Sequence, residues 1–571
     1  MLVAYFCGGV GSAIVIGCSA AAFVCLAVLK RKLAVNVAGL LVGTLIMMCF
    51  VRHSVAPVMK FAGKEVQTTF CVEETVGNTN GKQHIVAELK LGGVKTKARL
   101  FLDQHLEEGQ TALAKITFRE NDEEWELYNL ADGILLSGEA EIIGTGEVSE
   151  SYRRLHFLGR VRDYLAQTVT EYITGDPGAL ALSLMFGMDE LLDENISEAL
   201  CVCGAFHFTA VSGSHFTVFA AIILSLIPSH NPKMRSAAAL AFAPLAVLFF
   251  GESNSLLRAA VMFGIYGLQG VFLRQTQILN TLCLAVVLIC MISPSAVLDI
   301  GFGMSVMGVM GAGVVGTKAI ERLDEIFPRI SRKILGFLKP VVISACAVIC
   351  TSPLTVMAFG GVSLAGAFTT VILMPLIGIG MLLVLVLGAT GLGIAAVPLG
   401  ILMKVISFII GLFGSSNAVW LAMDYSGAVV VCIAITAGVF AWVMAPFGLF
   451  EGTAACSAAM MVLSVSLSLF MQNVKSDFVV VGNDGSSAQI VVRQREAVVI
   501  VQGTGRGLSE MLQAALRRNG IRKVTDLSMI DADYNGAAVM EELSDKYGVE
   551  RVSTNNFALG VYEQMAFGRR K

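Results

Sequence analysis

Long apolar runs constrain this chain more than any other feature. A helix needs roughly 20 apolar residues to cross the hydrocarbon core of a bilayer. About twelve windows of that kind follow one another, near 3–29, 33–51, 209–228, 236–250, 255–272, 278–293, 300–316, 341–358, 366–389, 395–413, 427–447 and 453–471. Hydrophobic residues fill 55% of the 571 positions and charged ones 15%, a balance far from that of a soluble domain. The chain therefore reads as an α-helical polytopic membrane protein with about 12 spans. The first run lacks a basic leader and a clear small-residue cleavage site, and its charges follow it, so it reads as a retained anchor.

The loops assign an orientation. Lys30, Arg31 and Lys32 separate the first two spans and belong inside by the positive-inside rule. Lys233, Arg235, Arg274 and the basic 318–340 loop then also fall inside, while the loops around Glu252 and Asp299 fall outside. On this count the segments after Val51 and after Met471 both lie outside. The net charge of −3 does not advertise a polyanion-binding protein. Nearly all of the 13 cysteines sit in apolar spans, where cysteine acts as a small apolar side chain.

Two stretches break the apolar pattern. Residues 65–148 alternate as short strands, in HIVAELKLGG and VKTKARLFL, with a turn signal at Asn80-Gly81. Lys95, Lys97 and Arg99 should share one strand face, although residues 60–150 are acidic overall, with nine Lys/Arg against seventeen Asp/Glu. Residues 477–571 alternate strand and helix signals, with FVVVGNDG, AQIVVRQ and AVVIVQG before a helix over 507–519. Between the first stretch and the core, residues 151–170 form an amphipathic helix with Leu155, Leu158, Val161 and Leu165 on one stripe. Its Arg153, Arg154, Arg160 and Arg162 meet lipid headgroups or form a basic collar, and both roles stay open.

Chemistry concentrates in GAFHFTAVSGSHF, residues 204–216, where His207 and His215 flank Ser212 and Gly213 at the mouth of a span. Ionisable groups there are costly and usually functional. On a continuous helix the two histidines stand about 12 Å apart, so one zinc ion cannot take both, and no third ligand is evident. A Ser212/His215 nucleophile–base pair is chemically feasible. The favoured reading is structural or pore-lining, with imidazoles and Ser212 satisfying backbone groups freed by broken helices. Arg258 lies about one turn inside a span. It either snorkels to the outer interface or faces a polar path, where its planar donor fork suits phosphate.

The ordered set of motifs resembles the ComEC-type competence proteins, the channels through which bacteria import single-stranded DNA. A Gly-rich helix, Gly178 to Gly187, precedes His207-Phe-Thr-Ala-Val-Ser-Gly-Ser-His215, which is similar to that family's His-Leu-Leu-Ala-x-Ser-Gly-x-His block. Ser255-Leu-Leu-Arg258-Ala-Ala-Val-Met262 looks like its Ser-x-x-Arg-Ala-x-x-Met helix. Gly301-Phe-Gly-Met-Ser305 after Pro294 is similar to its Gly-Phe-Gln-Leu-Ser step. Ser352-Pro353-Leu354, Phe359-Gly360 and Met374-Pro375-Leu376 match its later broken-helix segments.

The resemblance implies two N-terminal transmembrane helices over 1–52, an extracellular OB-like β domain over 60–150, a channel core over 151–475 and an extracellular α/β domain over 476–571. An OB domain binds single strands with basic grooves and stacking aromatics. Lys95, Lys97 and Arg99 would then track phosphates, against the plainer reading of a solvated face; Phe118, Trp125 and Tyr128 are stacking candidates that also suit a core. The last domain resembles the opening of a metallo-β-lactamase-like fold. Its metal motif reads Ser528-Met-Ile-Asp531-Ala-Asp533-Tyr534, with Met529 and Tyr534 replacing both histidines. Thioether and phenol are poor ligands for zinc or manganese, and the second half of such a domain is missing, so the domain is expected to be truncated, metal-free and inactive.

The DNA path implied by resemblance includes His207, Ser212, Gly213, His215, Arg258, Ser305 and Pro353, with Lys95, Lys97, Arg99, Arg153 and Arg154 as further DNA contacts. No catalytic residue, metal or cofactor is expected. Expected partners are single-stranded DNA, the bilayer of a bacterial plasma membrane, an extracellular DNA receptor, and a cytoplasmic translocase or single-strand-binding protein. That last partner would supply energy, since no Gly-x-x-x-x-Gly-Lys-Ser/Thr motif is present. A solute or lipid-precursor transporter and an intramembrane Ser/His hydrolase are the alternatives.

Overall fold

The structure is a computed structural model. It describes residues 43–422 and 476–554, leaving aside 44, 80–81, 122–125, 149–156, 190, 210, 212, 226–231, 252–253, 273–276, 327–331, 392, 415–419, 484–485, 494–495, 503–511, 514, 517–520, 522, 531–542, 544–546, 548 and 550. The expected spans near 3–29, 427–447 and 453–471, most of 33–51, Arg153, Arg154, Trp125, Asp531, Asp533 and Tyr534 lie outside the described residues. The chain divides into two compact units. One holds residues up to 171, 211–306 and 385–391; the other holds 172–210, 307–384 and 392 onward.

In the first unit, α1 (Leu45–Met59) leads into the β domain. Five strands follow: β1 (Glu65–Thr79), β2 (Lys82–Leu91), β3 (Val94–Leu102), β4 (Gln110–Arg119) and, after a short α2 (Glu126–Ala131), β5 (Ile134–Val148). They close into a barrel in the order β1-β2-β3-β5-β4. Every pairing is antiparallel except β3 with β5, and closure leaves no free edge. Period-two alternation fills the barrel: on β3, Thr96, Ala98, Leu100 and Leu102 are buried. The same core takes in Met47 and Val58 from α1 and Leu298 from the membrane segment, which ties the barrel to helices of its own unit.

This junction gathers carboxylates. Asp132, in the turn after α2, has its carboxyl pushed up to about 6, first by burial and then by Asp299 and Glu74, while Lys97 and Arg99 pull the other way. Between about pH 4 and about pH 6 the folded chain holds a proton that the unfolded chain has released, so stability falls as pH rises through that window. We therefore expect Asp132→Asn to raise the melting temperature at neutral pH, with the gain vanishing near pH 4. A gain of equal size at both pH values, read by thermal unfolding, would contradict this. Asp132 keeps part of its surface in water, so the expected gain is small.

The helices that follow the barrel start with α3 (Phe157–Tyr172), α4 (Asp176–Phe186) and α5 (Glu194–Val202). A single 3₁₀ turn, Phe206–Phe208, precedes α6 (Gly213–Ser225), α7 (Pro232–Phe250), α8 (Asn254–Phe272) and α9 (Ile278–Ile292). Then come α10 (Ile300–Val309), a π-helical turn over Met310–Gly316, α11 (Thr317–Ile326), α12 (Arg332–Phe359), α13 (Gly366–Thr390) and α14 (Ala396–Gly414). Short strands β6 (Gly361–Ser363) and β7 (Trp420–Ala422) pair antiparallel. Among the described residues five helical stretches are long and apolar enough to cross a membrane: 233–250, 300–325, 338–356, 366–390 and 393–414.

Two expectations are corrected. The basic 318–340 segment, read as a loop, is largely helical, as α11 and the start of α12, with Lys339 paired to Asp324 at 2.9 Å. The Ser352-Pro353 step does not break its helix: α12 runs on through Pro340 and Pro353. Pro353 has no N–H for the carbonyl of Ile349, and the Ser352 hydroxyl donates to that oxygen at 2.7 Å instead.

The remaining strands are β8 (Ser476–Asn483), β9 (Ser486–Arg493), β10 (Glu496–Gln502), β11 (Lys523–Ile530) and β12 (Arg551–Thr554). They form one sheet in the order β12-β11-β10-β9-β8, antiparallel over β8–β10 and parallel over β10–β12. Helical residues Leu512 and Leu516 pack on it with Val499, Val501 and Leu527, as the expected strand–helix alternation requires.

Candidate functional site

In the first unit α6 and α10 both reach α8, the helix that carries Arg258. The residue stands one turn inside α8 and is 5% exposed. Its Nη1 lies 3.4 Å from Met262 Sδ, one turn on, and its Nε has no hydrogen-bond partner. Among the described residues no carboxylate pairs with it. Gly213, the first residue of α6, closes on the same guanidinium: a Cβ built there would stand 3.0 Å from Arg258 Nη2 and 3.4 Å from Ala259 Cβ. Any side chain at 213 would press on the arginine head.

Ser305 approaches from α10, where it accepts a hydrogen bond of 2.8 Å from Ser255 on α8. Asp299 fixes the start of α10, its Oδ1 accepting from the Gly301 N–H at 2.8 Å, which makes it an N-cap. Three of the expected path residues, Gly213, Arg258 and Ser305, therefore meet on α8. Ser255, which opens the Ser-x-x-Arg motif but was not among the expected path residues, joins them here; its i,i+3 spacing from Arg258 was the available signal. His215 is 1% exposed on α6, beside Phe216, whose ring packs on Phe242 and Phe263. Ser212 lies outside the described residues.

The second unit holds His207 and Pro353. His207 sits on the 3₁₀ turn, exposed, with Nδ1 donating to the Gly204 carbonyl at 3.1 Å. The histidines thus belong to separate helical elements, which removes the continuous-helix spacing assumed for them. Around Gly204 the packing is tight: its ideal Cβ falls 2.7 Å from Gly366 Cα and 2.9 Å from Ser363 Cβ, at a φ of +77°. Thr369, fully buried on α13, donates to the Cys203 carbonyl at 2.7 Å and holds this turn against α13. The sequence pattern gave no sign of that bond.

On the barrel, Lys95, Lys97 and Arg99 do alternate along one outward face of β3. Lys95 pairs with Glu88 and Lys97 with Glu73, so the two lysines are charge-compensated. Arg99 keeps a buried Nε without a hydrogen-bond partner. Phe118 is fully buried in the barrel core and is not available to stack on a base. Arg162 on α3 donates to the Phe250 carbonyl at 3.2 Å and pairs with Asp163. Among the described residues no three His, Cys, Asp or Glu side chains come together as a metal site.

Five apolar helices of spanning length, with a buried arginine on the shorter apolar helix α8, define an integral membrane protein that carries an ionic group among its helices. The competence-protein family profile matches residues 184–471, just over half of the chain. The chain belongs to that competence-protein family, and membership associates it with DNA uptake in competence. No curated protein and no solved structure matches it.

Proposed function

We propose that this protein is the channel through which incoming single-stranded DNA crosses the bacterial cytoplasmic membrane during natural transformation. The observation that carries the reading is Arg258: a guanidinium 95% removed from solvent, with a free Nε, on a helix of a competence-family membrane protein. A buried cation that no carboxylate pairs with among the described residues is unfavourable by several kcal/mol and makes sense where polyanionic cargo passes. A pore must bind phosphate well enough to admit it and weakly enough to release it. One dispersed cation meets that requirement better than a dense basic patch.

In this reading the β domain is an extracellular OB-like module, consistent with its closed five-stranded order. The sheet over β8–β12 is a metallo-β-lactamase-like domain, also outside, with Met529 at a place where that fold's metal motif has a histidine. Energy comes from a cytoplasmic translocase or single-strand-binding partner, and the protein itself is not an enzyme. The test follows end-labelled double-stranded DNA into a DNase-protected cytosolic pool. Deletion of this chain should empty that pool while surface-bound DNA stays constant. Normal uptake in a competent deletion strain would refute the channel and promote the solute or lipid-precursor transporter.

A further inference from the structure

Resting on the channel reading, we infer that Lys404 and Phe408, one turn apart on the exposed face of α14, form a nucleotide-contact site for the passing single strand, the ammonium meeting a phosphate and the ring a base. Lys404 is the one charged residue of the 393–414 span, eleven residues after Gly393 and ten before Gly414. At about 1.5 Å per residue both ends lie about 15 Å away, half of a hydrocarbon core roughly 30 Å thick. The lysine stem, five bonds of about 1.5 Å each, covers less than half of that distance, so snorkelling to a headgroup does not rescue the charge. Lys404 is exposed, in a stripe with Ile401 and Phe408 at 59% and 70% exposure. Left in lipid, the ammonium would be costly; it is a strongly hydrated point charge and calls for water or an anion.

Among the described residues no carboxylate pairs with Lys404. The whole sequence extends the point. The twelve apolar windows together hold two residues of the types Asp, Glu, Lys and Arg, and both are cations, Arg258 and Lys404. Even the windows outside the described residues, 3–29, 427–447 and 453–471, carry no Asp or Glu that could answer the lysine at its depth. The counter-charge therefore comes from outside the chain's own spans, and a polyanion in transit brings it. Phe408 adds the second element of single-strand recognition: an aromatic face beside a basic group takes bases with little regard to sequence. The i,i+4 spacing puts ring and ammonium next to each other. A lysine, a mobile point charge without a planar fork, suits a contact that is made and released as the strand moves.

The test uses the full chain in lipid nanodiscs, with a labelled oligo-dT and an abasic phosphodiester oligomer of equal length, titrated at several KCl concentrations. Lys404→Met keeps the bulk of the stem in an apolar stripe. It should weaken binding of both oligomers about tenfold and flatten the log K against log [salt] slope by about 0.7, the share of one phosphate on a single strand. Lys404→Arg should keep the slope. Phe408→Ala should weaken oligo-dT about fivefold or more, while the abasic oligomer and the slope stay as in wild type. If wild-type protein binds neither oligomer, the channel reading falls. If it binds both and Lys404→Met keeps wild-type affinity and slope, the site falls and the channel stands. A lower melting temperature for Lys404→Met with binding unchanged would assign the lysine to a helix contact and likewise overturn the site. An equal effect of Phe408→Ala on both oligomers would remove the ring from base contact.

Discussion

Arg258→Ala is expected to cut the DNase-protected DNA pool about tenfold or more while full-length protein accumulates normally in the membrane. A charge-assisted hydrogen bond contributes about 1.5–3 kcal/mol, and each 1.4 kcal/mol is a factor of ten. Loss of one such contact at an unavoidable point of passage therefore suffices. The fold should survive, because truncation orphans no described carboxylate: the guanidinium's recorded contact is with Met262 Sδ. Removing a buried charge that no described carboxylate pairs with also removes its desolvation cost, so thermal stability should hold or rise. Arg258→Lys keeps the charge without the fork and should fall between the two. Wild-type uptake by Arg258→Ala, measured as protected label, would remove the arginine from the path.

The second large effect is on folding. Gly204→Ala should destabilise the protein by about 2–5 kcal/mol, from a left-handed backbone costing about 1–2 kcal/mol for an L-residue and overpacking of about 1–3 kcal/mol. The clash is with backbone, Gly366 Cα at 2.7 Å, so no rotamer change relieves it. Against a total stability of about 5–15 kcal/mol this is a large share. Gly400→Ala, on α14 with nothing within 4 Å of its Cβ, is the matched control and should be neutral or slightly stabilising. Melting temperature in detergent and steady-state membrane abundance report both. Equal behaviour of the two variants would show that the Gly204–Gly366 approach relaxes without cost.

How much of this was legible in the sequence depends on range. Apolar windows located α7 to α10 and α12 to α14 well, since a span is a local property of composition. Strand alternation over 65–148 was legible too, whereas the parallel β3–β5 contact that closes the barrel depends on partners that no local pattern names. The lysine stripe illustrates the limit. Its shared face follows from period two, but its neutralisation by Glu88 and Glu73 follows from strand packing.

Residues 318–340 were read for charge alone and so taken as a loop. The recurrence of Ile320, Leu323 and Ile326 at helical spacing marks α11. Arg258 stood out as an ionisable group in a span. Its approach to Gly213 did not, because helix–helix contact between distant segments is set by packing.

The most direct test of the channel puts a photoreactive residue in the path and asks what it touches. p-Azidophenylalanine replaces Ser255, beside Arg258 and Ser305, and in a second strain Leu268, which is 45% exposed on the same helix. Cells are irradiated while labelled DNA is entering, and the cross-linked strand is typed with single-strand-specific nuclease. The channel account predicts single-stranded DNA attached at 255 only during active uptake, and none at 268. Protected DNA that accumulates normally with no cross-link at 255 would contradict it.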